Sequence, residues 1–173
     1  DRQRPSAFRI SSISAVWAEI TWPASVLTSG LLPSCWTVFA MVIASHQYQA
    51  REVLNGVSSL LGDTPMIGFS SPAGLTRNGL HPHSVVIALL SGDFQAETLW
   101  LPGYAQSGRE TASKIEQHAS ARVERQSILF FADGFNGDAE QFCNSLPSGL
   151  DIVGALSSGD MNTGSTYQIV GSQ

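Results

Sequence analysis

The sequence predicts a single α/β domain: a mixed sheet with two strand–helix–strand repeats, an antiparallel hairpin, and helices packed on the sheet. Three observations predict it. Thr37–Ala44 (TVFAMVIA) and Ser127–Ala132 (SILFFA) are apolar runs rich in β-branched and aromatic residues, as strands buried on both faces are. Each run leads through a polar turn into an amphipathic helical stripe. Each unit then closes with a short strand and a Ser-Ser turn, which calls for parallel strands and a right-handed crossover.

In chain order, Phe8 to Ile13 reads as the first strand. Val16, Ile20, Ala24 and Leu27 recur at helical spacing over Ala15 to Gly30, although Pro23 interrupts that run. The buried strand of the first repeat follows. Val53, Leu54, Val57, Leu60 and Leu61 then mark a helix over Gln47 to Leu61, which Gly62-Asp63 ends. Met66 to Ser70 is a short strand. Ser84–Leu90 and Phe94–Leu101, joined by Ser91-Gly92-Asp93, read as the hairpin. Ser107 and Glu110 form a capping box for a helix reaching about Val123. In the second repeat, Asp138 is the expected N-cap of a short helix. Strands at Asp151–Leu156 and Thr166–Val170 complete the chain. Gly68 and Gly154 sit mid-strand, where glycine is costly, so a helix or ligand is expected against them.

Composition narrows the function. The chain has 173 residues, with 43% hydrophobic and only 13% charged, so a covering partner or a larger parent protein is expected. Its net charge of -5 and scattered basic residues argue against nucleic acid. The longest apolar stretch, Leu31 to Ala44, contains Pro33 and is shorter than the roughly 20 residues needed to cross a bilayer, so no membrane insertion is expected. Cys35 and Cys143 read as buried free thiols, which fits a reducing, cytoplasmic setting.

The repeats at 37–74 and 127–160 place four polar turns at the carboxyl ends of parallel strands, the edge where open α/β sheets bind ligands. The candidate ligand-binding residues are Ser45, His46, Ser70, Ser71, Asp133, Gly134, Asn136, Asp138, Ser157, Ser158 and Asp160. Asp133 and Asp160 suit an ammonium group, and a helix N-terminus near Asp138 suits a carboxylate. The same turn residues also serve ordinary backbone demands. A divalent ion on Asp133, Asp138 and Asp160 is the weaker reading, because Asp138 and Asp133 are more simply a cap and a turn-former. Hydrolysis by Ser70, Ser71, Ser157 or Cys143 with His46 as base lacks a G-x-S-x-G elbow, so no catalytic residue is assigned.

Four segments resemble the N-terminal domain of the FIST family (F-box and intracellular signal transduction proteins): PMIGFSSPAG at Pro65–Gly74, ILFFADGFNGDAE at Ile128–Glu140, DIVGALSSGD at Asp151–Asp160 and TYQIV at Thr166–Val170. The resemblance runs from about residue 36, with residues 1–35 an N-terminal strand and helix of the same domain. It implies an intracellular sensory domain that binds amino acids or related metabolites rather than an enzyme. It also implies a C-terminal FIST domain and a signalling output domain as partners in the full-length protein. That second FIST domain is expected to be absent here. Two alternatives follow from the resemblance: a haem-based nitric oxide sensor, for which His46 is the best-placed imidazole, or an interaction module of F-box type proteins. No other cofactor is expected. Leu75 stands where an acidic residue often follows the glycine in the family.

Overall fold

A computed structural model describes residues 6–10, 14–18, 39–91, 96–121 and 127–171. The strands are β1 (Ser6–Ile10), β2 (Ser14–Ala18), β3 (Phe39–Ser45), β4 (Met66–Ser71), β5 (Ala73–Thr76), β6 (Gly79–Pro82), β7 (Val85–Ser91), β8 (Ala96–Trp100), β9 (Ser127–Asp133), β10 (Asp151–Ser157) and β11 (Gln168–Gly171). The helices are α1 (Ala50–Leu61), α2 (Gly108–Ser120) and α3 (Ala139–Asn144).

Both repeats form as parallel strand pairs, β3 with β4 around α1 and β9 with β10 around α3. They belong to two different sheets. One has the order β11-β4-β3-β7-β2 and the other β10-β9-β1-β8, and every pairing outside the two repeats is antiparallel.

The cores explain the layering. Strand side chains alternate faces. Ala40, Val42 and Ala44 of β3 pack with Val53 and Val57 of α1, while Phe39 lies with Ile67, Leu90 and Phe131 between the sheets. Phe69 and Phe131 meet across that interface with ring centroids 4.4 Å apart. On the far side, Ile128 and Ala132 pack with Ala112 and Ile115 of α2 and Phe142 of α3. The layers therefore run α1, five-stranded sheet, four-stranded sheet, then α2 and α3. Such continuous apolar strands are needed because both faces are covered.

The α/β class, mixed pairing, two repeats and a hairpin are as expected, but the hairpin lies elsewhere. It is β5–β6, a segment with no strand expectation. The expected partners β7 and β8 lie in different sheets. β7 is buried from Val85 to Leu90 and fills an interior position between β3 and β2. β8 has one strongly buried residue, Thr98, and takes an edge. Burial on both faces thus overrode the local loop signal. His81 is a residue of β6 whose ring nitrogen lies 3.0 Å from Thr76 Oγ1.

Residues 15–18, expected in a helix, belong to strand β2, which pairs antiparallel with β7. Ala15, Val16 and Trp17 fit a strand as well as a short helical stripe, and β7 supplies the ladder. The rest of that helix expectation, with Cys35, falls on residues 19–38, outside the described residues. Cys143 is exposed rather than buried. The buried stripe of α3 runs through Phe142, and its neighbour is rotated away from it. Gly68 and Gly154 are tightly packed, but against the adjacent strand rather than a helix or ligand. A β-carbon at Gly68 would run into Val42 O, and one at Gly154 would lie 2.6 Å from the Phe130 ring.

Candidate functional site

The carboxyl ends of β3, β4, β9 and β10 meet although they come from two sheets. Ser70 is the node. Its Oγ donates to Ser158 O at 2.8 Å and accepts from Tyr167 N–H at 3.0 Å, and its own carbonyl accepts from Ser158 N–H at 2.9 Å. His46 N–H donates to Ser71 O at 3.0 Å, and the Tyr167 hydroxyl donates to Ser45 O at 2.9 Å. Gly134 N–H donates to Ser157 O at 3.1 Å, where the carbonyl comes so close that only glycine fits. One segment, 158–167, thus ties both repeats together.

Several candidate residues are occupied by this architecture. Ser70 is fully buried, and Ser157 nearly so, with its Oγ donating to Ala132 O at 3.1 Å. Both hydroxyls donate to backbone carbonyls. Asp133 closes its own turn: Oδ1 accepts from Phe135 N–H at 2.9 Å and Asn136 N–H at 3.2 Å, and Oδ2 from Asn136 Nδ2 at 2.9 Å. Asp138 caps α3 by accepting from Gln141 N–H at 2.8 Å. Asp160 Oδ1 accepts from Asn162 N–H at 2.9 Å. Among the described residues, no group of three His, Cys, Asp or Glu is placed to hold a metal ion. Ser45 is buried, Ser71 Oγ donates to Ala73 O at 2.9 Å, and Leu75 is 74% exposed.

Three side-chain atoms at this junction are buried without a partner: His46 Nδ1, Thr166 Oγ1 and Gln168 Oε1. Gln168 is 6% exposed. Gln168 Nε2 donates to Ser157 Oγ at 2.7 Å, and Ser157 Oγ in turn donates to Ala132 O. Oε1 therefore points elsewhere as an acceptor. His46 and the 165–166 step flank the same glycine: a β-carbon on Gly159 would lie 3.5 Å from His46 Cβ and against Ser165 O. Thr166 and Gln168 were missed as candidates. TYQIV reads simply as a last strand, and only the partners of its alternate polar side chains reveal more.

The tyrosines nearby differ in a testable way. Tyr104 is 1% exposed, and its hydroxyl has no partner. Burial first, then the charges of Cys143, Asp133 and Asp138, push its pKa up. Burial and then Tyr48 raise that of Tyr167 further. Tyr104→Phe should leave stability unchanged or raise it by about 1 kcal/mol, whereas Tyr167→Phe should cost about 1 kcal/mol, because only Tyr167 loses a hydrogen bond. Raised folded-state values mean the neutral phenols favour folding. Stability then holds up to the ordinary tyrosine value near pH 10 and falls as pH rises further, less so in the double Phe variant. Urea melts at two pH values check both statements.

A family model of the FIST N domain matches residues 38–173, the part of the chain that carries both repeats and the junction. No curated protein and no solved structure matches the chain. Among the described residues, no helix is long and apolar enough to cross a membrane. By that match, and with a strand order that brings the matched turn residues to one junction, the chain belongs to the FIST N domain family, a domain associated with signal transduction.

Proposed function

We propose that this domain is a sensory module that binds a small ligand, an amino acid or related metabolite, at the junction of the four turns, and that it binds rather than reacts. The observation that carries the reading is the set of unpartnered atoms on His46, Thr166 and Gln168. An unsatisfied buried polar group costs about 1–3 kcal/mol, so each of the three favours a ligand that satisfies it. Gln168 Oε1 only accepts, and Asp160 carries negative charge on the adjoining turn, which suits an amine. His46 and Thr166 can donate, which suits a carboxylate.

The three atoms are closed off from solvent, so the ligand enters when the 159–165 turn lifts. That turn exposes Met161 at 85% and is held by a 3.4 Å hydrogen bond from Asn136 Nδ2, in the turn after β9, to Gly164 O. The haem alternative rests on His46 alone, and a Soret band in purified protein decides it. Native mass spectrometry of protein purified from cells tests the main reading. A retained small molecule, lost in Gln168→Leu, is expected; a spectrum of bare protein from ligand-rich lysate and after amino-acid addition would remove it.

A further inference from the structure

The outer edge of β11 opens onto a slot that shares only Gln168 with the ligand reading. Hydrogen-bond parity defines that edge. Ser70 N–H donates to Tyr167 O, and the register places Ile169 opposite Gly68 and Gly171 opposite Met66. Bonded and non-bonded pairs alternate in an antiparallel ladder. Tyr167, Ile169 and Gly171 therefore turn their backbone groups toward β4, while Gln168 and Val170 turn theirs away. β11 is the last strand of its sheet, and among the described residues nothing pairs with those outward N–H and C=O groups. A cavity of about 640 Å³ runs along this edge. Arg51, Leu54 and Asn55 of α1 form one wall, and Trp100 at the end of β8 forms the other. The slot thus continues the plane of the five-stranded sheet, between the helix layer and the second sheet.

We propose that this slot receives an extended peptide segment as a sixth strand, with a carboxylate of that segment facing Arg51. Edge strands are normally guarded by charge, proline or a bulge. β11 reads Gln-Ile-Val-Gly and carries none of these guards. The volume lies in the range that holds a few residues. The outward groups of Gln168 and Val170 are spaced to pair with one strand, the mode in which backbone pairing supplies affinity and flanking pockets supply selectivity. Leu54 and Trp100 offer apolar walls to alternate side chains. Among the described residues lining the slot, Arg51 alone is charged, which selects an acidic side chain or a chain terminus. A second copy does not fit: its own β11 is recessed between the same walls, and both chains carry a charge of -5.

The test is an amide-resolved NMR titration of the whole chain with acetyl-Thr-Val-Thr-Val bearing a free C-terminal carboxylate. Before peptide is added, the amides of Gln168 and Val170 should exchange with solvent much faster than those of Ile169 and Gly171. Equal protection would mean the edge is already covered and overturns the proposal. Added peptide should shift Gln168, Val170 and the Trp100 indole saturably. Peptide N-methylated at the pairing residue should bind at least about tenfold more weakly, the equivalent of one or two hydrogen bonds. The C-terminal amide, or Arg51→Gln, should weaken binding a few-fold. Val170→Pro removes one outward N–H and leaves the β11–β4 ladder intact, so it should abolish binding without unfolding. No shift at millimolar peptide, or N-methylated peptide binding as well as the parent, overturns the proposal, and the latter holds even if Val170→Pro fails to fold.

Discussion

Gly68→Val is expected to destabilise the domain by about 3 kcal/mol or more, a fall in melting temperature of roughly 6–12 °C for a chain of this length. Gly68 lies on the strand that joins β3 to β11, opposite Val42. A β-carbon there meets the Val42 carbonyl and comes within 2.9 Å of Val42 Cβ. Backbone in the middle of a five-stranded sheet cannot step aside without breaking pairs on both flanks. Gly154→Val meets Phe130 in the same way, but β10 is an edge strand and half of its residues face solvent. Its strand can shift, so the cost should be smaller, about 1–2 kcal/mol. Calorimetric melts of the two variants side by side test the ranking as well as the magnitudes.

Ser70→Ala should cost about 2–4 kcal/mol although it deletes a single oxygen. The change leaves Ser158 O and Tyr167 N–H without the partner they have at 2.8 and 3.0 Å, at a position with no access to water. Asymmetry makes the effect large: the pairing itself is worth little net, while an orphaned buried group bears its full desolvation cost. Because Ser70 holds the 158–167 segment against the first repeat, the variant should also loosen the junction. Faster hydrogen exchange at Ser158 and Tyr167, with α2 unchanged, is the expected signature. A stability loss under 1 kcal/mol would mean that Ser70 is not the node.

Much of this architecture was legible in the chain. The apolar runs of β3 and β9, the stripe of α1 and the Ser107 and Asp138 caps all mark features that form where they were read. Local pattern is informative there because burial on both faces leaves few alternatives. What could not be read is how strands are shared between sheets. The chain around β7 and β8 looks like a hairpin because Ser91-Gly92-Asp93 reads as a tight turn, yet pairing with β3 and β1 decides the places of the two strands. Residues 15–18 show the same ambiguity, since so short a run satisfies helical and strand periods alike. At the candidate site the turn residues were legible, but their roles were not. Ser70, Ser157, Asp133 and Asp138 each make hydrogen bonds within the fold, with partners up to 97 positions away. Thr166 and Gln168 carry the unpartnered atoms, a property that exists only once the two repeats are folded together.

The central claim is that these two repeats enclose a ligand site. The most direct measurement is an amide-resolved NMR titration of the protein with each of the common L-amino acids in turn. Saturable shifts at His46, Ser158, Thr166 and Gln168 for at least one of them, with the β5–β6 hairpin unmoved, are predicted. Shifts for none of them, or shifts confined to surfaces away from the 158–168 segment, would contradict the account.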